Sequence, residues 1–548
     1  MKKNILLGSI VTLGLILSAC SGKEASKKDG QKTNSEKVEQ KITVSTPAPI
    51  STLDTTQTTD KNTFTMVQHL FEGLTRFDEK TTPIPGIAKS IDVSEDGKEY
   101  LFKLRDDAKW SNGEKIEAKD FEYAWKRLID PKTQGPNAYL LDNVVNGLAV
   151  RNGEKPVDDI GFKAVSSEEF KVTLEHPQPS FLSVTAIGWL APQQEKFVKE
   201  KGNKFGTNSE DILYNGPFSL KDWDGASDTW TLVKNDNYYD EKAVKLKEIA
   251  VQTLKEENTG INLFENGELD LVKISGQYVA QYKDNPGYIT FSEVSNSFLD
   301  FNKKEGTPSA NVNLRKAIAL AIDKKGLTES VLADGSKPLN GLVPAGLYEN
   351  PETKEDYRKY AGEFSTYNVE EAKKIWKVAK KELGDKVKVT LLASDSEQSK
   401  KVTEYLQSQL EDNLKGLNIS VSLQPANNVH QSRADGNFEL SLSGWIAGSS
   451  ELDSYFNLYV KDSSYNDGKF INEDYTKLVT DAKTTNANNP DKQFADYKKA
   501  EDILLNQEAA QVPIYQGAGN YLVNPNIEKV EYPLYGGYFF LRNAEVKE

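Results

Sequence analysis

One cysteine in 548 residues is the feature that most constrains this chain. A single thiol closes no internal disulfide and builds no cysteine-based zinc or iron–sulfur site. Whatever folds must therefore be held by packing, hydrogen bonds and ion pairs. The length predicts roughly three to four domain-sized units at about 150 residues each. The cysteine, Cys20, also follows a distinctive segment. Lys2 and Lys3 precede an apolar run from Ile5 to Leu17. That run is shorter than the ~20 residues needed to span a bilayer core. It reads as a secretory signal over residues 1–19. Residues 21–40 hold five Lys and four acidic residues with almost nothing apolar. Such a segment cannot bury enough surface to offset its ordering entropy, so residues 20–40 are expected to be a flexible tether.

Charge and motif content exclude several functions. Lys plus Arg total 68 against 82 Asp plus Glu, a formal net charge of −14, which disfavours nucleic-acid binding. The three histidines, His69, His176 and His430, are widely separated, so no compact metal motif exists. No nucleophile elbow, H-E-x-x-H, phosphate loop or EF-hand loop is present. The chain is expected to be no enzyme and to need neither cofactor nor metal. Aromatics are abundant, with 7 Trp, 24 Tyr and 22 Phe, and several stand beside glycines, as in Gly444-Trp445 and Tyr535-Gly536-Gly537-Tyr538. A large exported chain of this kind suggests ligand capture.

Hydrophobic periodicity outlines an α/β body. Ile42, Val44 and Thr46 alternate as a first strand, and so do Tyr100, Phe102 and Leu104. Phe121, Ala124, Trp125 and Leu128 follow a helical period. Val387, Val389 and Leu391 predict a strand, Val402 to Leu410 a helix, and Ile419, Val421 and Leu423 another strand, followed by Phe438, Leu440 and Leu442. That order implies α/β layering. Asn215-Gly216-Pro217 reads as a turn closing a strand pair.

Leu17-Ser18-Ala19-Cys20 resembles a bacterial lipobox, whose cysteine is acylated and becomes the new N-terminus. Further blocks follow in order: Ser51-Thr52-Leu53-Asp54, His69 to Leu74, Trp110 to Glu114, Tyr214 to Phe218, Gly267 to Asp270, Leu314 to Asp323, Gly444-Trp445, Ala500 to Leu504 and Val512 to Tyr515. Together they resemble the peptide-binding lipoproteins of bacterial ABC importers, the oligopeptide/dipeptide class of extracytoplasmic solute-binding proteins, over residues 41–548. That resemblance implies a two-lobed α/β fold with an extra subdomain. Lobe I is expected from 41–72, 196–295 and 512–548, the extra subdomain from 73–195 and lobe II from 296–511. The ligand is expected between the lobes, paired through its backbone like an added strand.

The expected ligand contacts are Thr59, Asp60, Lys61, Tyr139, Asn215, Gly216, Ser297, Phe298, Gly444, Trp445, Ile446, Gly448, Glu451 and Asp453. The family's amine-binding Asp is replaced by Gly448, and Glu451 or Asp453 is the expected substitute. Leu442 and Ser399 stand where other members carry cationic groups, so a charge-poor pocket and short, hydrophobic peptides are expected. The expected partners are a peptide, the permease subunits and the membrane through lipid on Cys20. The protein is expected to be monomeric, on the extracellular face of the cell membrane. A hydrophobic signalling peptide, an oligosaccharide or a nickel chelate are the alternative ligands.

Overall fold

The computed structural model describes residues 38–547 apart from Lys80, Asp462 and Tyr535. The signal segment, Cys20 and most of the tether lie outside the described residues. Ten strands are labelled in chain order: β1 Lys41–Thr46, β2 Phe218–Lys221, β3 Thr229–Lys234, β4 Glu248–Thr253, β5 Leu271–Lys273, β6 Tyr288–Phe301, β7 Val387–Ser394, β8 Leu417–Gln424, β9 Leu440–Ile446 and β10 Gln511–Val523. They join one sheet in the order β8-β7-β9-β6-β10-β5-β1-β4-β3-β2, with the short strand Lys337–Pro338 added on β10. Among the described residues no helix is long and apolar enough to cross a membrane.

The sheet serves two lobes because β6 and β10 are long enough to belong to both. Tyr288 to Ser292 of β6 pair with Leu522 to Ala518 of β10 beside β5. Phe298 to Asp300 pair with Pro513 to Gln511, and on the other edge Ser295 to Phe301 pair with β9. The register shifts between Ser292 and Asn296 and again between Ser297 and Phe298. Such irregularities bend a strand and raise its twist, here midway between the lobes.

Separate apolar cores mark the parts. One gathers Ile42, Val44, Met66, Trp230, Ile249 and Tyr521 around β1 to β5. Another gathers Leu299, Leu314, Ile318, Val389, Leu406 and Leu440 around β7 to β9. There, helix Val312–Ala321 buries Leu314, Ala317, Ile318 and Ala321. A third lies wholly within residues 74–190. In it a four-stranded sheet carries helix Ala118–Ile129, whose Trp125 meets Phe162 and Phe170 edge-on at 5.3 and 5.1 Å. Arg127 of that helix docks this unit on Asp54 through two 2.6 Å hydrogen bonds.

Asn215-Gly216-Pro217 does not close a strand pair; it leads into β2. Asn215 accepts from the Glu72 amide at 3.1 Å and donates to the Glu72 carbonyl at 2.8 Å. A Cβ on Gly216 would stand 2.6 Å from the Leu70 and Phe71 backbone. This segment clamps the end of helix α1, Lys61–Leu70, and lies inside the first core.

A fourth core, around Tyr357, Tyr455, Phe494 and Tyr497, encloses Glu501, which is fully buried. Its carboxylate pairs with Arg358 and accepts from Tyr357 Oη at 2.9 Å and from the Leu342 amide at 2.5 Å. Removing one partner of such a pair strands the other. Glu501→Gln should therefore cost about 3–5 kcal/mol in urea unfolding, and a loss below about 1 kcal/mol would show that the guanidinium finds water instead.

Candidate functional site

Strand β9 places the candidate site. One edge pairs with β6 along its whole length, while the other pairs with β7 only at Leu440 and Ser441. From Leu442 to Ile446 that second edge carries no strand. Leu442 points into the lobe's own core, which corrects the expectation that it is a pocket position. Side chains alternate between the two faces of the strand, so the open edge looks onto two different walls.

On one face, Gly444 stands opposite Ser297 and Ile446 opposite Ser295. Ser297 Oγ donates to the Ser443 carbonyl at 3.3 Å, and Ser295 Oγ to Glu293 Oε2 at 3.1 Å. A Cβ on Gly517 would stand 2.7 Å from Ser295 Oγ, so this floor is paved with small residues. Lys61, at the start of α1, reaches Glu293 Oε1 at 3.1 Å. Asp60 caps the same helix by accepting from the Thr63 amide at 2.8 Å and takes the Ser51 hydroxyl at 2.6 Å; Thr59 before it is exposed. Tyr538 offers its ring to Lys61 at 4.5 Å and to Lys273 at 5.0 Å. Burial pushes the Glu293 carboxyl up, but Lys61 and Lys273 outweigh it and hold it at about 2.

On the other face, Trp445 packs edge-on against Tyr465 at 4.8 Å, and Tyr139 meets Tyr465 at 5.9 Å. The Trp445 Nε1 is buried without a hydrogen-bond partner. Past the strand, the Gly448 amide donates to Ser454 Oγ at 3.3 Å, and Glu451 Oε1 accepts from the Ser180 amide at 3.2 Å. Asp453 accepts from Asn457 Nδ2 at 3.0 Å, and Lys483 donates to the same Asn457 side chain at 2.9 Å. Among the described residues neither Glu451 nor Asp453 has a cation within 4 Å. Burial raises the Glu451 carboxyl, and the nearby Asp453 charge adds to the shift, to about 7. Asp453 is raised by burial, opposed by Lys483.

The Glu451–Ser180 and Tyr139–Tyr465 contacts join the 74–190 unit to the β7–β9 lobe. Elsewhere a Cβ on Gly276, just past β5, would stand 3.6 Å from Lys401 Nζ of the other lobe, so the lobes meet there too.

The structure gathers Asp60, Lys61, Tyr139, Ser297, Gly444, Trp445, Ile446, Gly448, Glu451 and Asp453 around this cleft. Asn215 and Gly216 lie elsewhere, in the first core. Phe298 is 4 % exposed with its backbone paired on both sides, so it is a core residue of the sheet. Ser399 shares hydroxyl contacts with Ser394 and Ser396 at 2.7 and 2.9 Å. Beside the expected Lys61, Glu451 and Asp453, the structure brings two further charges to this level of the sheet, Lys273 and Glu293. Sequence reasoning missed Lys273, Glu293, Tyr465 and Ser180. Only Glu293 carried a local signal, as a charge inside an otherwise strand-like run.

Comparison with known proteins identifies the class. The model of bacterial extracellular solute-binding proteins, family 5, matches residues 82–467. A dipeptide-binding protein of Lactococcus lactis subsp. cremoris is 35 % identical, over 100 % of this chain and 99 % of its own. Peptide-bound OppA of Listeria monocytogenes superimposes with a TM-score of 0.87 at 37 % identity, covering 93 % of this chain and 100 % of that one. The pheromone receptor PrgZ, solved for its mode of peptide binding, gives 0.87 at 35 % identity, with coverage of 93 % and 100 %. The chain belongs to this solute-binding family, which is a family of binding proteins rather than enzymes.

The raised Glu451 carboxyl sets a pH dependence. A folded-state value above the ordinary one contributes stability below about 4.5 that is lost as pH rises through about 7. Glu451→Gln should therefore gain thermal stability relative to the unaltered chain as pH goes from 5 to 8. Parallel melting profiles for the two across that range would contradict this.

Proposed function

We propose that this chain is the ligand-capturing component of an ABC peptide importer. It takes short peptides into the cleft, closes its lobes on them and delivers them to the permease without chemistry of its own. The observation that carries this reading is the open β9 edge from Leu442 to Ile446, ending at Glu451 and Asp453. A peptide laid along that edge gains main-chain hydrogen bonds independent of its side chains. Its ammonium meets two carboxylates that lack a cation of their own. Trp445, Tyr465 and Tyr139 beside them supply faces attractive to a cation and to apolar side chains. Gly444 keeps the strand free of a side chain where the peptide passes.

The same reading assigns lobe I to 41–72, 196–295 and 512–548, the extra subdomain to 73–195 and lobe II to 296–511, with β6 and β10 as the hinge. It places the protein on the outer face of the cell membrane, held by lipid on Cys20 and acting as a monomer. Cys20→Ala should leave the chain unprocessed or free of the membrane fraction; normal processing and retention would exclude that anchor. The 35 % identity to a pheromone receptor favours one second reading, a hydrophobic signalling peptide as cargo.

Calorimetry on the purified full chain tests capture. Trialanine should bind, and its N-acetylated form should bind at least tenfold more weakly, as expected when a charge-assisted contact of about 1.5–3 kcal/mol is lost. Glu451→Gln or Asp453→Asn should reproduce part of that loss, and Trp445→Ala should cost about 2 kcal/mol or more. Equal affinity for acetylated and free peptides would remove the amine contact, and an unchanged Trp445→Ala affinity would make that ring a bystander.

A further inference from the structure

Lys61 and Lys273 come from different elements, helix α1 and strand β5, yet they converge on one aromatic ring, that of Tyr538. Between them stands a single carboxylate, Glu293, and only Lys61 is in contact with it, at 3.1 Å. The Lys273 ammonium makes no hydrogen bond and no ion pair within 4 Å among the described residues, although the side chain is half-buried. The other acids in its neighbourhood are committed. Glu257 holds the Ser275 amide and hydroxyl at 2.9 and 2.5 Å. Asp334 accepts from the Ser336 amide at 3.0 Å, and Asp60 caps α1. Across the cleft Lys401 is paired with Glu397 at 2.7 Å.

Two ammonium groups thus share one carboxylate in a cleft that closed lobes shield from water. A buried charge without a partner is costly. A carboxylate beside Lys273 completes an alternating row of Lys61, Glu293, Lys273 and the incoming group. Glu293 is the one carboxylate in contact with the pair, because Glu257, Asp334 and Asp60 turn their oxygens to amides and hydroxyls, which leaves room beside the Lys273 ammonium for a single carboxylate. A lone ammonium also lacks the fork with which arginine grips phosphate. We propose that Lys273, seconded by Lys61, forms a carboxylate subsite of the cleft, so that favoured ligands present one negative group there.

The subsite's place narrows the source of that group. Glu293 precedes Val294, whose carbonyl accepts from the Ala447 amide at 3.5 Å. It therefore sits at the Ile446–Gly448 end of the open edge, on the face opposite Trp445. This rests on the peptide reading above. With the peptide's ammonium at Glu451 and Asp453, the group at Lys273 belongs to the ligand's first residues. It is an Asp or Glu side chain at position one or two, or the terminal carboxylate of a dipeptide.

A competition experiment separates these sources and tests the subsite. The full chain is mixed with equimolar Glu-Ala-Ala, Gln-Ala-Ala, Ala-Glu-Ala, Ala-Gln-Ala, Ala-Ala and Ala-Ala amide, and captured peptides are read by mass spectrometry. The unaltered chain should prefer the acidic member of at least one pair by roughly tenfold, the scale of a charge-assisted hydrogen bond. A Glu-over-Gln preference names a side chain as the source, and an acid-over-amide preference names the terminus. Lys273→Met should abolish the preference while other capture persists, Lys273→Arg should keep most of it, and Glu293→Gln should strengthen it. Indifference within all three pairs, or an undiminished preference in Lys273→Met, overturns the subsite. If Lys273→Met fails to fold, a Glu293→Gln preference that does not rise overturns it instead. Capture of no peptide at all by the unaltered chain sinks the peptide reading and the subsite with it.

Discussion

Strands β6 and β10 lie antiparallel along nearly their whole length, and every other part of the molecule is arranged around that pairing. Each strand is a core element twice. At one end Phe291 and Tyr521 pack beside Tyr532, and at the other Leu299, Phe301, Val512 and Ile514 fill the second lobe. Between those ends Val294 and Phe298 turn one way into apolar surroundings, while Glu293, Ser295, Ser297 and Gly517 leave the other side small and polar. The irregular register lets one ladder serve two cores whose strand directions differ. It also leaves small and polar residues where the lobes face each other, which makes a cleft at that level.

The charges around the cleft divide by face. Glu451 and Asp453 lie past the end of β9 with the Trp445 aromatic group, while Lys61, Lys273 and Glu293 lie on the opposite face. A strand added at an edge sends successive side chains to opposite faces, so under the proposed reading the two groups would meet different parts of one ligand. In a site shielded from water, each charge counts for more than on an open surface. Selectivity can then rest on few residues, while the ladder supplies affinity to any backbone.

Secondary structure was legible where periodicity was strong. The strands at 41–46, 99–104, 387–394 and 417–424 and the helices at 118–129 and 397–413 follow the apolar spacing. The family resemblance misled at Leu442, which strand parity sends into the core as its spacing with Leu440 implies, and turn chemistry misled at Asn215, whose neighbours serve a clamp on Glu72. The candidate site was half legible. Gly444, Trp445, Glu451 and Asp453 stand close together in the chain and could be read as one unit. Lys273, Glu293, Ser180 and Tyr465 could not, because only tertiary packing brings them to the site, with Glu293 meeting Lys61 and Ser180 meeting Glu451 from distant parts of the chain. No local pattern separates such a lysine from a solvated one.

The first described turns of the chain have a mechanical consequence. Gln40 exchanges two hydrogen bonds with Val546, and β1 then runs parallel to β4 from Lys41 opposite Glu248 to Thr46 opposite Thr253. A pull on the leading end of the chain is thus met side by side by a six-residue ladder, a shear geometry in which the bonds share the load rather than peel in turn. A load applied at Gln40 meets β1 and β4 before it reaches either of the two long strands.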